Sequence, residues 1–167
     1  PGVVAWARHA VGRPIEGWSS FANWSRPDEG VSPEFLLDKD ARVVDERTPH
    51  DGPLSVEEGI ARLRGLASKP GEAIRLIGLS GVGKTRLAQA LFDARVGEAA
   101  LPPSKVLYCD FGLPASPSPT DMARQLVANK LEAILLVDNC SPETHRGLAS
   151  IIKVPESRVS LLTIEYD

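Results

Sequence analysis

Long apolar runs are missing from this sequence, and a helix needs roughly 18 such residues in a row to cross a bilayer. No segment has the charged, apolar and small-residue layout of a secretory signal. Cysteine is scarce: Cys109 and Cys140 are the only two among 167 residues, too few and too far apart for a disulfide framework or a zinc site. Two reduced thiols in a cytoplasmic protein are expected. A large charge of one sign is lacking too. The formal net charge is −3, which argues against the basic footprint of a nucleic-acid binder. Aromatic residues make up only 5%, yet all three tryptophans, Trp6, Trp18 and Trp24, stand near the start. What is present is a globular composition, 43% hydrophobic and 25% charged, over a length that allows one domain with a sizeable core. The sequence begins at Pro1 rather than Met and stops at Asp167, soon after an apolar run; both ends predict a piece of a longer protein.

Two unequal parts are distinguishable. Residues 1–53 carry the tryptophans, repeated proline and glycine, and little periodicity, with only 41–44 reading as a short strand. An irregular packing arm or the tail of a preceding domain is expected there. Residues 54–167 alternate strand and helix patterns, which predicts an α/β fold with a mostly parallel sheet flanked by helices in three layers. A helix is expected over 55–67, opened by the capping-box pair Ser55 and Glu58, with Val56, Ile60, Leu63 and Ala67 on one face. Pro70 and Gly71 end it. Residues 73–77 form a short buried strand, and a helix is expected from Lys84 to about Val96, stopped by Gly97. A second strand covers 105–110, and Thr120 is expected to cap a helix reaching about Asn129. Ala133–Asp138 is apolar until its last residue, as a central strand covered on both faces would be. Ser141 and Pro142 then open a helix to about Ile152, and Val159–Ile164 makes a fourth strand.

The most informative stretch is GLSGVGKT, residues 78–85. Gly78, Gly83, Lys84 and Thr85 satisfy G-x-x-x-x-G-K-[ST], between an apolar strand and an amphipathic helix. Glycines let the backbone curl so that its N–H groups face phosphate oxygens, and a following helix adds its positive end. Lys84 is expected to reach the β and γ phosphates as a mobile point charge, and the Thr85 hydroxyl to bind magnesium. Gly78, Ser80, Gly81, Val82, Gly83, Lys84, Thr85 and Arg86 are the expected nucleotide contacts.

Such a site needs an aspartate at the end of a neighbouring strand. AILLVD supplies Asp138, expected to hold magnesium through water opposite Thr85. A full strand and helix lie between the glycine loop and the Asp138 strand. That connectivity predicts the branch of P-loop NTPases in which an extra strand separates the two motif strands. The expected order is of the 5-1-4-3-2 type, with Val159–Ile164 between those strands and the fifth beyond the end of this chain. The GTPase base reader N-K-x-D is imitated by Asn129, Lys130, Leu131 and Glu132, but these precede the Asp138 strand and read as a helix end.

GLSGVGKTRLAQALFD, LLVDN and the helix and strand that follow resemble the STAND class of signalling NTPases, relatives of the NB-ARC and NACHT modules. The resemblance covers about residues 72–167. It implies ATP or ADP with Mg2+, flanking domains in the full-length chain as partners, and oligomerisation on activation. It assigns Thr163 to a sensor strand, in which an arginine is expected near the γ-phosphate; position 165 is Glu165 instead. Arg158 cannot stand in for it from the opposite end of that strand. Fast ATPases place an acid after the magnesium aspartate, whereas this chain has Asn139. An amide can orient water but cannot take its proton, which predicts slow hydrolysis and a switch rather than a motor. Glu143 and Glu165 are the nearby alternative bases, read as surface carboxylates. Gly12 and Arg13 resemble an adenine-contacting pair that members carry upstream. An AAA+-like mechanical ATPase, a small-molecule kinase and a scaffold with weak nucleotide binding are the alternatives.

Overall fold

The computed structural model describes residues 2–10, 15–26 and 39–165, the side chains of 8–10 excepted. The amino-terminal stretch is more regular than its weak periodicity predicts. It contains helix α1 (Val3–Ala10), the short strand β1 (Trp18–Ser19) and helix α2 (Phe21–Trp24). Val3, Ala7 and Trp18 belong to the same buried cluster as the sheet, so contacts remote in sequence hold these elements. Trp18 donates its indole N–H to the Pro117 carbonyl at 2.9 Å, and Trp24 stacks on Tyr108 with centroids 4.6 Å apart. The strand expected at 41–44 is a single antiparallel bridge from Val43 to Leu54.

Helix α3 (Val56–Ala67) opens as its sequence predicts. Ser55 Oγ accepts from the Glu58 N–H at 3.2 Å, and Glu58 Oε2 accepts from the Ser55 N–H at 2.8 Å. Strand β2 (Ala73–Leu76) leads through the glycine loop into helix α4 (Lys84–Ala90). That helix is half the expected length. Its end tightens into i to i+3 bonds, from Leu91 to Ala88 and from Phe92 to Gln89, and the buried guanidinium of Arg64 takes up the freed carbonyls. Strand β3 (Val106–Asp110) follows a 3-10 turn at Pro103–Lys105. Helix α5 (Pro119–Ala128) is capped by Ser118 rather than Thr120, because Pro119 takes the first helical position and Ser118 Oγ accepts from the Asp121 N–H. Strand β4 (Ala133–Asp138), helix α6 (Pro142–Ile152) with its Ser141 cap, and strand β5 (Val159–Ile164) lie where the sequence places them.

The sheet has five strands in the order β1-β3-β4-β5-β2. Strands β3, β4, β5 and β2 run parallel, and β1 pairs antiparallel with β3 at the edge. Side chains along each strand alternate between two cores. Leu135 and Val137 join α1, α5 and α6 on one face, while Ile134 and Leu136 join α3 and α4 on the other. Leu135 and Leu136 are both fully buried, each stabilising the fold by about 1.5–3 kcal/mol relative to exposure. Among the described residues, no helix is long and apolar enough to cross a membrane.

Candidate functional site

Because β2, β3, β4 and β5 are parallel, their carboxyl-terminal ends share one edge of the sheet, and the conspicuous polar side chains collect there. The loop after β2 turns back through Gly81 at φ 80 and Gly83 at φ 89, left-handed values that strain any side chain. Its apolar members point outward, with Leu79 73% and Val82 62% exposed, and Ser80 is exposed as well. Lys84 Nζ donates to the carbonyls of Gly78 and Leu79. Arg86 donates to Gln89, whose amide reaches the Trp24 carbonyl at 3.2 Å and so ties α4 to α2.

Thr85 and Asp138 meet directly: the threonine hydroxyl donates to Asp138 Oδ2 at 2.9 Å. Asp138 is 7% exposed. Burial pushes its carboxyl above the usual carboxylate range, although the bonds from Thr85 and the Asn139 N–H pull the other way. The nearby Asp110 carboxylate raises it further and Lys84 lowers it. A buried carboxylate that is costly to ionise and one hydrogen bond from a hydroxyl offers two oxygens to a divalent cation. No group of three or more His, Cys, Asp and Glu that could hold a metal occurs among the described residues. The donor set fits magnesium instead, which takes one or two carboxylates and fills its sphere with water and phosphate oxygens. Thr85 and Asp138 would hold that ion, whose positive charge would draw phosphate oxygens to the loop.

Other expected residues are placed differently. Thr163 lies one residue before the end of β5, but its side chain faces α6, where its hydroxyl meets His145 Nδ1 at 2.7 Å. It shares the face of its register partner Val137, opposite that of Asp138. The strand's period of two therefore separates Thr163 from Thr85. Glu165, expected as a surface carboxylate, is 6% exposed and accepts from Arg75 at 2.5 and 2.8 Å. Glu143 is exposed on α6. Gly12 and Arg13 lie outside the described residues.

Asn139 takes a left-handed backbone at φ 54, a conformation asparagine tolerates well. Its Nδ2 donates to Asp110 Oδ1 at 2.7 Å. Asp110, which this bond joins to the same strand edge, is not singled out by the sequence reading. Its signal was available, since VLYCD ends in aspartate just as AILLVD does. Comparison with protein-family models and with curated proteins finds no match for this chain.

Proposed function

We propose that this chain is a magnesium-dependent ATP-binding module that serves as a nucleotide switch in a larger STAND-type signalling regulator. The carrying observation is the Thr85 to Asp138 hydrogen bond at 2.9 Å, which joins the end of GLSGVGKT to the strand-end aspartate. In this reading the glycine loop wraps the phosphates and Lys84 moves to their β and γ oxygens. Thr85 and Asp138 hold magnesium. The strand order favours the same reading. Taken from the glycine-loop strand, the parallel set runs β2-β5-β4-β3, which is compatible with an extra strand separating the two motif strands. The free, buried Cys109 and Cys140 are in keeping with a cytoplasmic setting.

As a switch, the module binds ATP and ADP with unequal affinity in two arrangements of its flanking domains, because only a difference in affinity shifts such an equilibrium. Hydrolysis is slow, and oligomerisation accompanies the ATP form. Isothermal calorimetry with ATP and magnesium tests the site. Lys84→Ala removes a charged donor worth about 1.5–3 kcal/mol, so the dissociation constant should rise about 10- to 100-fold. Binding unchanged by Lys84→Ala would refute the assignment, and failure of the unsubstituted protein to bind ATP would favour a scaffold role.

A further inference from the structure

Asn139, the residue after Asp138, uses both of its N–H groups. Its backbone N–H donates to Asp138 Oδ1 at 2.9 Å, and its side-chain amide donates to Asp110 Oδ1 at 2.7 Å. Asp110 closes β3 as Asp138 closes β4, and the two are register partners. Register partners on adjacent parallel strands turn their side chains to the same face. Here that face carries α4 and Thr85. The Phe111 N–H donates to the Asp138 carbonyl at 2.9 Å, so the two strand ends stay joined beyond the sheet.

The Asp110 carboxylate is held in place. The Gly112 N–H adds a second bond to Oδ1 at 2.8 Å, and a Cβ on Gly112 would stand only 3.1 Å from that oxygen. Both bonds fall on Oδ1; among the described residues, Oδ2 accepts no hydrogen bond. The other carboxylates near this edge are less suited. Glu165 is committed to Arg75 on the opposite face, and Glu143 is exposed on α6.

We infer that Asp110 is the carboxylate that receives the attacking water when a nucleoside triphosphate is hydrolysed at this site, with Asn139 as its positioning residue. The inference rests on the triphosphate reading of the glycine loop. In the step, the water oxygen forms a bond to the γ-phosphorus with its lone pair. The bond from that phosphorus to the bridging oxygen breaks, and its electron pair leaves on the nucleoside diphosphate. The water proton passes to Asp110 Oδ2 and from there to solvent. The acid missing after Asp138 is thus supplied from the next strand, and Asn139 holds it there.

Asp110→Asn is nearly isosteric and keeps an acceptor for the bonds at Oδ1. Magnesium-ATP affinity is read by calorimetry, phosphate release in single turnover, and folding by far-UV circular dichroism. The expected result is a dissociation constant within about 3-fold of the unsubstituted protein and phosphate release slowed about 100-fold or more. The double variant Asp110→Asn/Asn139→Asp exchanges the two ends of one hydrogen bond and should recover about 10-fold of that loss. Asn139→Ala leaves the carboxylate but frees it, so release should fall about 10-fold at unchanged affinity; this variant decides the matter if Asp110→Asn does not fold. Release within about 3-fold of normal in Asp110→Asn, or in Asn139→Ala where that variant decides, would overturn the inference and leave the triphosphate site standing. So would an unsubstituted protein that binds ATP without releasing phosphate. Absence of ATP binding, by contrast, would overturn the triphosphate reading itself.

Discussion

Replacing Arg64 with methionine removes a buried cation shared by four backbone carbonyls. Arg64 is 3% exposed. Its Nε donates to Leu91 O at 2.9 Å, Nη2 to Ala90 O at 2.7 Å and Asp93 O at 2.9 Å, and Nη1 to Glu98 O at 2.6 Å. These acceptors are the carbonyls freed where α4 ends and the loop behind it begins. At about 1.5–3 kcal/mol for each bond to a charged donor, four bonds sum to about 6–12 kcal/mol. Burial of the guanidinium takes much of that back, and it pulls the Arg64 pKa down. The net loss expected from removing one side of a buried charged contact is about 3–5 kcal/mol. Methionine keeps the apolar stem, so the loss reports the bonds rather than the packing. Urea unfolding followed by far-UV circular dichroism measures it. With a slope of about 2 kcal/mol per molar, the midpoint should fall by about 1.5–2.5 M with the slope unchanged. The Leu101 amide, which donates to Leu91 O at 2.9 Å, should exchange its proton faster. A loss under about 1 kcal/mol would refute the view that Arg64 terminates α4.

Two further perturbations test the neighbouring contacts. Burial lowers the His145 pKa from 6.5, and the positive charges of Arg75 and Lys153 lower it more. The unfolded chain therefore takes up the proton first as pH falls below about 6.5, so stability is lost from there down to the folded pKa and is full above it. His145→Gln should flatten the dependence of urea-derived stability on pH below about 6.5, and an unchanged slope would count against the burial of His145 beside Arg75 and Lys153. Gly17 sits at φ 72, and an added Cβ would run into the Pro114 carbonyl and stand 2.9 Å from Ala115 Cα. Gly17→Ala should cost about 1–3 kcal/mol and expose Trp18, seen as a red shift in fluorescence; a silent substitution would mean that β1 is not held against this loop.

The regular elements after residue 54 were legible because their periodicity and caps are local. AILLVD reads as a central strand from its unbroken apolar run, and all six residues are buried. Ser55 with Glu58 and Ser141 with Pro142 mark helix starts through bonds to their own first turn. The early end of α4 was not legible, because the group that completes it comes from α3. Arg64 lies four residues after Ile60 on the buried face, where a charged residue signals a distant acceptor. The amino-terminal elements are short and owe their order to the sheet they cover. The sequence pairs Thr85 with Asp138, 53 residues apart, and the fold brings that hydroxyl and carboxylate into hydrogen-bond contact. The face of Thr163 was not legible, since position along β5 sets its height but the register with Val137 sets its face.

The two faces of the strand edge differ in what can move. On the α4 side, Asp138, Asn139 and Asp110 are held by side-chain bonds and by the strand-end ladder. The Cys140 N–H donates to Ile164 O at 2.8 Å, and the Glu165 N–H donates to Leu76 O at 3.0 Å. Those bonds link the ends of β4, β5 and β2 as the Phe111 bond links β3 to β4. The glycine loop is tied instead by its own lysine, whose Nζ donates to the Gly78 and Leu79 carbonyls. A Cβ on Gly81 or Gly83 would meet nothing within 4 Å, and Leu79 and Val82 face outward. Under the proposed function, phosphates that draw Lys84 from those carbonyls would release the loop beside the bonded strand edge. Under the proposed function, ATP and ADP are distinguished there. In that reading the γ-phosphate would lie between the loop and the strand edge, and its loss would be passed outward through the exposed loop side chains.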